Sequence, residues 1–168
     1  MPRFLSRLLI VPAVVVSWAA LAPAQEITKG EDGKYYDAND NPTYHIGADG
    51  TVDWFTYNGF RRYNSECHVC HGPDGMGSSF APVLVDSIKD MTYDDFMEVV
   101  VNGRVNVSTS AQNEMPAFGL NKNVMCYLDD IYVYLKARAA GVVGRGRPAK
   151  KEAKTPATRE EENACMEG

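Results

Sequence analysis

Apolar positions with helical spacing predict three helices in the central part of the chain. In the last of them Leu128, Ile131, Tyr132 and Leu135 repeat at i, i+3, i+4 and i+7, which is one face of an α-helix. The predicted helices run from Asn58 to about Cys67, from Thr92 to Asn102 and from Asn121 to about Ala140.

The middle helix carries the strongest end signals. Thr92 and Asp95 have the spacing of a capping box, and Gly103 follows at the position that commonly ends a helix. Its predicted apolar face is made by Phe96, Val99 and Val100. Gly141 is the corresponding stop signal for the last helix.

The pattern is different on both sides of this helical part. Before it, turn residues separate short runs that predict a small β meander, namely Lys34–Tyr36, Thr43–Ile46 and Thr51–Phe55. After Gly141 the chain is basic from Gly144 to Lys154 and mainly acidic from Arg159 to Glu162, a composition typical of a disordered tail. The fold class predicted is mainly α.

The start of the chain has the three parts of a secretory signal peptide. Arg3 and Arg7 accompany an apolar run from Leu8 to Leu21, and Ala22-Pro23-Ala24 forms a cleavage signal. The alternative, a retained membrane anchor, is disfavoured because the run is shorter than the roughly 20 residues that a span needs. We therefore expect export, with cleavage after Ala24.

The expected domain organisation follows from these patterns. It consists of a signal peptide (1–24), a β-rich extension (25–57), a helical domain (58–141) and a charged tail (142–168). Loss of Arg3 and Arg7 changes the formal net charge from −5 to −7, and an acidic chain without a basic face argues against nucleic acid as a partner.

The sequence Cys67-His68-Val69-Cys70-His71 is a C-x-x-C-H motif, which is typical of covalent haem attachment. Cys67 and Cys70 would form the thioethers, and His71 would be an axial iron ligand. A thioredoxin-like motif would need a βαβ context, which is missing. A structural zinc would need four ligands, and Cys126 and Cys165 form no second close cluster.

The second axial ligand decides whether the iron is closed or open to small molecules. Met115 is the best candidate because Pro116 stiffens the loop that carries it. Met91 and His45 are alternatives. Met76 is too close to His71 in sequence, and His68 lies between the thioethers, so both are expected to be bystanders. The carbonyl of Pro82 is expected to accept the Nδ1–H of His71 and fix the imidazole plane.

The order of these features resembles the class I cytochromes c, and more narrowly the cytochromes c of methanol metabolism. An aromatic helix precedes C-x-x-C-H-G, and a downstream Pro, an M-P loop and a terminal helix with Tyr132-Val-Tyr-Leu-Lys136 follow it. The segments that resemble the XoxG type, related to cytochrome cL, are Gly33–Asp37, Asp53–Gly59 and Cys70–Pro82.

This resemblance implies a class I fold of three to five helices around one covalent haem c, with the first and last helices crossing. Gly59, Phe60 and Tyr63 would then meet Leu128, Ile131, Tyr132 and Leu135. It also implies a periplasmic, monomeric electron carrier and no enzyme. The donor would be a quinone-dependent methanol dehydrogenase, lanthanide-dependent for the XoxG type, and the acceptor a small soluble cytochrome c.

Several alternatives remain open at this point. The chain could serve another quinone-dependent dehydrogenase, as carrier or as bound haem subunit, or it could be an open-iron enzyme or sensor. Cytochrome cL relatives can carry calcium, but Asp37, Asn39 and Asn41 match only the opening of an EF-hand loop, and Pro42 replaces its glycine.

The C-terminal region carries two further predictions. An exported chain with four cysteines, two of them in the haem motif, predicts a Cys126–Cys165 disulfide that tethers the tail. The basic residues of the tail could form a docking arm or a solvated segment. They are Arg145, Arg147, Lys150, Lys151 and Lys154.

Overall fold

The computed structural model describes residues 26–107 and 112–168, so the predicted signal peptide lies outside the described residues. Within the described part no helix is long and apolar enough to cross a membrane. The helices are α1 Trp54–Glu66, α2 His68–His71, α3 Leu84–Ser87, α4 Tyr93–Asn102, α5 Lys122–Met125, α6 Leu128–Ala139 and α7 Pro156–Glu167, with a 3₁₀ turn at Pro73–Gly75. The strands are β1 Thr28–Lys29, β2 Tyr35–Tyr36, β3 Pro42–Thr43, β4 Arg104–Val107 and β5 Gln112–Met115.

The N-terminal extension is a three-stranded antiparallel sheet in the order β1-β2-β3. Strand β2 agrees with the predicted run, and β3 begins at Pro42, one residue before the second predicted run. The prediction of a strand over Thr51–Phe55 is wrong. Only Val52 pairs there, in isolated bridges to Ile46 and Lys151, and the chain enters a helix at Trp54.

Helix α1 begins four residues before its predicted start because Asp53 caps it. The buried Asp53 carboxylate accepts hydrogen bonds from the backbone N–H and hydroxyl of Thr56, at 2.8 and 2.6 Å. It also accepts the N–H of His45 at 2.8 Å, which joins the extension to the helix. Burial raises the pKa of Asp53, while these donors oppose the rise.

The other two predicted helices had different outcomes. Helix α4 confirms its prediction, with the Thr92–Asp95 capping box formed and Gly103 at its end. The predicted helix from Asn121 to Ala140 is divided into α5 and α6, which are separated by Cys126 and Tyr127. Asn121 caps α5 with its side chain, whereas Tyr127 makes no side-chain cap for α6.

Helices α1 and α6 cross as expected of the first and last helices, and Gly59 is the point of closest approach. A Cβ atom on Gly59 would overlap the carbonyl oxygen of Asp130 and lie 2.8 Å from Cβ of Tyr134. The rings of Phe60 and Tyr63 pack on Tyr134, with centroids 5.8 and 5.7 Å away. No side chain can therefore be accommodated at position 59 without separating the helices.

One predicted member of this crossing is misplaced. Tyr132 packs on Tyr93 and Phe96, with ring centroids 5.1 and 5.3 Å away, and so faces the elements around α4. Tyr134, two residues later, takes the central position and is fully buried. A regular i, i+3, i+4 pattern marks one face, but α6 is buried on several sides, so the pattern did not identify the crossing residue.

A buried polar pair lies beside the crossing. Asn58 Nδ2 donates to Asp130 Oδ2 at 2.7 Å, and both residues are almost inaccessible to solvent. Burial raises the pKa of Asp130 to about 8, while the Asn58 hydrogen bond opposes the rise. This hydrogen bond gives each of the two buried polar groups a partner where the helices cross.

The charged tail is held against the domain. It ends in α7, which composition alone did not predict, and a disulfide joins Cys126 to Cys165 with the Cα atoms 5.8 Å apart. Val52 N–H donates to the Lys150 carbonyl at 3.2 Å, and Glu152 N–H donates to the Val52 carbonyl at 2.9 Å. The tail therefore adds one bridge to the N-terminal extension.

Candidate haem site

A cavity of about 400 Å³ lies between the helical elements and contains most of the predicted ligands. Most of its lining side chains are apolar. From the motif region they are Cys67, Cys70, Phe80, Ala81, Pro82, Leu84, Ile88 and Met91; from the rest of the chain they include Phe96, Val99, Val100, Met115, Pro116, Phe118, Val124, Ile131 and Leu135. The polar members are His71, Glu66, Ser87, Arg104 and Glu114.

The motif is presented by the end of α1 and the short helix α2. Cys67 N–H donates to the Tyr63 carbonyl at 2.9 Å, and His71 N–H donates to the Cys67 carbonyl at 3.0 Å. This helical turn brings both thiols and the imidazole to the cavity. Cys67 is partly buried, and burial raises the pKa of its thiol to about 12, whereas Cys70 is exposed.

His71 makes the predicted contact with Pro82, with Nδ1 and the carbonyl oxygen 3.2 Å apart. A carbonyl can only accept, so Nδ1 carries the proton and Nε2 keeps its lone pair. Burial lowers the pKa of His71, and the Pro82 carbonyl opposes this effect. The site thus holds a neutral, oriented imidazole, which is the form that binds a metal.

The loop after His71 is fixed by the hydroxyl group of Tyr63, which is fully buried. This hydroxyl donates to the Gly72 carbonyl at 2.5 Å and accepts the Gly75 N–H at 3.0 Å. Gly72 has φ +70°, and a Cβ there would overlap the carbonyl oxygen of Gly77. Tyr63 was predicted only as a packing residue, because its hydroxyl partners are backbone atoms and leave no sequence signal.

Met115 reaches the same cavity from a different kind of structure. It ends strand β5, pairs with Arg104 of β4, and precedes Pro116. A Cβ on Gly103 would lie 2.5 Å from the Met115 carbonyl oxygen, so the chain passes very close at this point. Phe118 N–H then donates to the Val100 carbonyl at 2.9 Å, which returns the loop to α4.

Of the other histidines and methionines considered as iron ligands or bystanders in the sequence, only Met91 lines the cavity. Met91 also lines the cavity, so its thioether is near the site. His45 is not among the lining residues and stacks on Tyr35, with ring centroids 4.5 Å apart. Met76 is 42% exposed and outside the lining. His68 belongs to the motif helix but does not line the cavity.

These residues fit a covalently attached haem. Two thiols, one oriented imidazole and the thioethers of Met115 and Met91 line a single apolar cavity, which supplies the donor set of a haem c. They do not fit a structural zinc, because Cys126 and Cys165 are consumed by their disulfide. Across residues 26–107 and 112–168 no group of three or more His, Cys, Asp or Glu side chains could hold a metal ion.

In the loop that was considered for calcium, the carboxylate of Asp37 accepts hydrogen bonds from the backbone of the loop itself. Asp37 Oδ1 accepts the backbone N–H groups of Asn39 and Asn41, at 2.8 and 3.0 Å. This is a turn that a short polar side chain closes on its own backbone. It gives no support to a calcium site in the extension.

Comparison with known proteins agrees with the haem c site that these donors indicate. Residues 56–135 match the family model described as cytochrome c oxidase, cbb3-type, subunit III. The solved structure of the c-type cytochrome XoxG from Methylobacterium extorquens AM1 superposes with a TM-score of 0.75 and 54% identity, covering 83% of this chain and 85% of that chain. The chain belongs to the c-type cytochromes.

Two curated cytochromes extend the likeness. Cytochrome c-553I of Paracoccus denitrificans is 53% identical over 150 residues, which are 88% of this chain and 66% of that protein. Cytochrome c-555 of Methylococcus capsulatus (strain ATCC 33009 / NCIMB 11132 / Bath) is 44% identical over 96 residues, 56% of this chain and 72% of that protein. This cytochrome is of the XoxG, cytochrome cL-like kind, and its fold is the class I fold.

Membership in this family establishes the cofactor and the broad role. The cytochrome carries a covalently bound haem c and is an electron-transfer protein, not an enzyme. The fold has seven α-helices in its described part, more than the three to five expected, because α2, α3 and α5 are single turns.

Proposed function

We propose that this cytochrome accepts single electrons from a quinone-dependent methanol dehydrogenase and passes them to a small soluble cytochrome c. Cys67 and Cys70 form the thioethers, His71 and Met115 bind the iron, and Pro82 orients His71. The observation that carries the site assignment is that one apolar cavity collects all of these residues. Within this proposal the donor is the lanthanide-dependent enzyme, by the resemblance to XoxG-type cytochromes, and the protein acts as a periplasmic monomer. The cleavage signal Ala22-Pro23-Ala24 supports export with cleavage after Ala24.

The arrangement of donors explains why this site suits electron transfer. Bound haem supplies an iron that changes its oxidation state by one electron. His71 is oriented before it binds, and the Met115 loop is anchored on both sides, so little of the protein has to move when the charge changes. Two protein ligands leave no position for a substrate, which disfavours the open-iron alternative.

The contact surface for both partners is proposed to lie beside the thioether residues. Val69 and Phe80 are 75% and 73% exposed. Val69 precedes the exposed Cys70 in α2, and Phe80 N–H donates to the Ser78 hydroxyl, which in turn donates to the Cys70 carbonyl. The segment 72–79, which connects the motif to Phe80, does not line the cavity, and Asp74 and Gly75 within it are buried. A small apolar surface of this kind suits brief redox encounters.

The basic residues of the tail are mostly engaged within the molecule, which disfavours a docking arm. Lys154 pairs with Glu162 at 2.5 Å and Lys150 with Asp49 at 3.2 Å. The guanidinium of Arg147 lies 5.4 Å from the centroid of Tyr57, and Lys151 Nζ lies 5.0 Å from that of Trp54. Arg145 pairs with Asp74 at 3.2 Å.

Stopped-flow mixing with purified methanol dehydrogenases tests the donor assignment. The oxidised cytochrome is mixed with the lanthanide-dependent or the calcium-dependent enzyme, and haem reduction is followed with and without methanol. We expect methanol-dependent reduction, faster with the lanthanide enzyme. Reduction of the carrier followed by oxidation on addition of a small cytochrome c would support the acceptor. A folded holoprotein that neither enzyme reduces would exclude this partner class.

Replacing Phe80 locates the contact surface in the same assay. Phe80→Ser should slow the second-order reduction step, because it removes most of the exposed apolar side chain beside Cys70. Leu120→Ser is the matched control, since Leu120 is fully exposed but does not line the cavity. Equal rates for the two variants would contradict a contact at Phe80.

A further inference from the structure

Asp74 connects the haem-binding loop to the C-terminal tail. It lies in the 3₁₀ turn three residues after His71, with φ +60°, and it is almost completely buried. Its carboxylate accepts the backbone N–H of Gly146 at 2.9 Å and Nε of Arg145 at 3.2 Å. A buried carboxylate in a left-handed backbone conformation is costly unless its partners stabilise it, and both partners come from the tail.

The end of α6 makes a second connection between the same two segments. Arg138 Nε donates to the Asp74 carbonyl at 3.4 Å, and Arg138 Nη1 donates to the Val143 carbonyl at 2.6 Å. The backbone and the side chain of Asp74 are therefore both held by residues 138–146. The position of the turn thus depends on where the tail lies.

Short contacts link this turn to His71. Gly75 N–H donates to the Tyr63 hydroxyl at 3.0 Å, that hydroxyl donates to the Gly72 carbonyl, and Gly77 N–H donates to the His71 carbonyl at 2.8 Å. A displacement of Asp74 would therefore disturb the hydrogen bonds that Gly72 and Gly75, on either side of it, make with the Tyr63 hydroxyl. The distance between His71 Nδ1 and the Pro82 carbonyl is the geometric quantity that would change.

The tail is itself anchored at two further places. The Cys126–Cys165 disulfide fixes its end, and the hydrogen bonds between Val52 and residues 150 and 152 fix its middle. Arg145 and Gly146 therefore lie in a segment that is held on both sides. A segment held in this way can restrain the turn, whereas a free tail could not.

We propose that Asp74, through Arg145 and Gly146, is a positioning residue for the iron ligand His71. The inference rests on the assignment of His71 under Proposed function. The tail restrains the turn, the turn restrains the backbone of His71, and the hydrogen bond to Pro82 keeps its geometry. Hydrogen bonding at Nδ1 makes the imidazole a stronger donor, which stabilises the oxidised iron. Loosening the turn should therefore raise the reduction potential.

The reduction potentials of three holoprotein variants test this proposal. Asp74→Ala removes a negative charge and Arg145→Gln removes a positive charge from the same place. Charge alone would raise the potential in the first variant and lower it in the second. Loss of the restraint on His71 would raise the reduction potential in both variants. The double variant carries no net change in charge, so its shift isolates the positioning effect.

We expect higher potentials in Arg145→Gln and in the double variant. Proton NMR of the oxidised haem methyl groups reports the plane of the axial imidazole, and these resonances should move in all three variants. Lys150→Gln is the matched control, because it removes a tail cation whose partner, Asp49, lies outside the turn. Its methyl resonances should stay unchanged.

A lowered or unchanged potential in Arg145→Gln, with methyl resonances like those of the wild type, would overturn the proposal. An equal rise in Lys150→Gln would also overturn it, since the effect would then belong to the tail in general. Failure of the underlying assignment looks different: a wild-type cytochrome whose haem lacks histidine ligation would show it before any variant is made.

Discussion

The two sides of the haem cavity are held by different kinds of contact. On the His71 side, residues 71–82 form a loop whose backbone is fixed by the buried Tyr63 hydroxyl and by Pro82. On the Met115 side, residues 103–119 contain the two-stranded β4–β5 ladder, and Met115 itself is only half-buried. The difference teaches that His71 is held by hydrogen bonds to a loop that the tail contacts through Asp74, whereas Met115 is held by strand pairing.

Removing the disulfide should have the largest effect and should affect the His71 side more. In the chain-entropy model, the sequence separation of 39 between Cys126 and Cys165 corresponds to about 4 kcal/mol of stability. We expect the Cys126→Ser/Cys165→Ser variant to lose about that free energy of unfolding in urea titration of the holoprotein. An unchanged midpoint would show that the noncovalent contacts of the tail are sufficient.

Gly59→Ala tests the framework that both sides share. The new methyl group would overlap the carbonyl of Asp130, so the helices must separate, and we expect a loss of about 3 kcal/mol in the free energy of unfolding. Gly144→Ala is the control, because no atom lies within 4 Å of its Cβ position. Similar thermal midpoints for the two variants would contradict the close crossing of α1 and α6.

Gly103→Ala should weaken the Met115 side selectively. Its φ of +73° costs about 1–2 kcal/mol for a residue with a Cβ, and the methyl group would also press on the Met115 carbonyl. Gly141→Ala has the same φ and nothing within 4 Å, so it incurs the backbone cost alone. Gly103→Ala should bind cyanide at the iron faster than Gly141→Ala, and equal rates would argue against the Gly103 contact.

The smallest expected effect is a pH dependence in the shared framework. Between the ordinary aspartate pKa of 3.8 and about 8, the folded chain holds a proton on Asp130 that the unfolded chain has released. Stability from this group is complete below pH 3.8 and is lost as the pH rises through about 8. Asp130→Asn should flatten this decline, whose slope is at most about 1.4 kcal/mol per pH unit, in urea titrations across the range.

The control for this effect is Asp86→Asn, at a carboxylate that is 68% exposed and paired only at the surface. The free energy of unfolding of Asp86→Asn should change with pH in the same way as that of the wild type. An Asp130→Asn profile with the same slope as the wild type would show that Asp130 is already ionised in the folded protein.

The sequence predicted the His71 side well because its chemistry is local. The C-x-x-C-H motif places two thiols and one imidazole within one helical turn. Pro82, whose carbonyl contacts that imidazole, follows eleven residues after His71. The capped helix α4 was equally predictable, since Thr92, Asp95 and Gly103 act on neighbouring backbone atoms. Local hydrogen bonds leave a residue pattern that can be recognised without the fold.

The features that the sequence did not reveal depend on distant backbone atoms. Tyr63 and Asp74 bind main-chain groups, which have the same chemistry at every residue. Tyr134, instead of Tyr132, occupies the helix crossing because α6 is buried on several sides, so its period does not select one face. Helix α7 was not predicted from its charged composition, and the Cys126–Cys165 disulfide that joins it to the domain is a contact between distant parts of the chain.

The visible spectrum of the oxidised holoprotein tests the central claim, a haem closed by His71 and Met115. We expect the sulfur–iron charge-transfer band at the red end of the spectrum in the wild type and its loss in Met115→Ala. Met91→Ala is the matched control, because Met91 lines the same cavity, and it should keep the band. A band that survives in Met115→Ala and disappears in Met91→Ala would contradict the account.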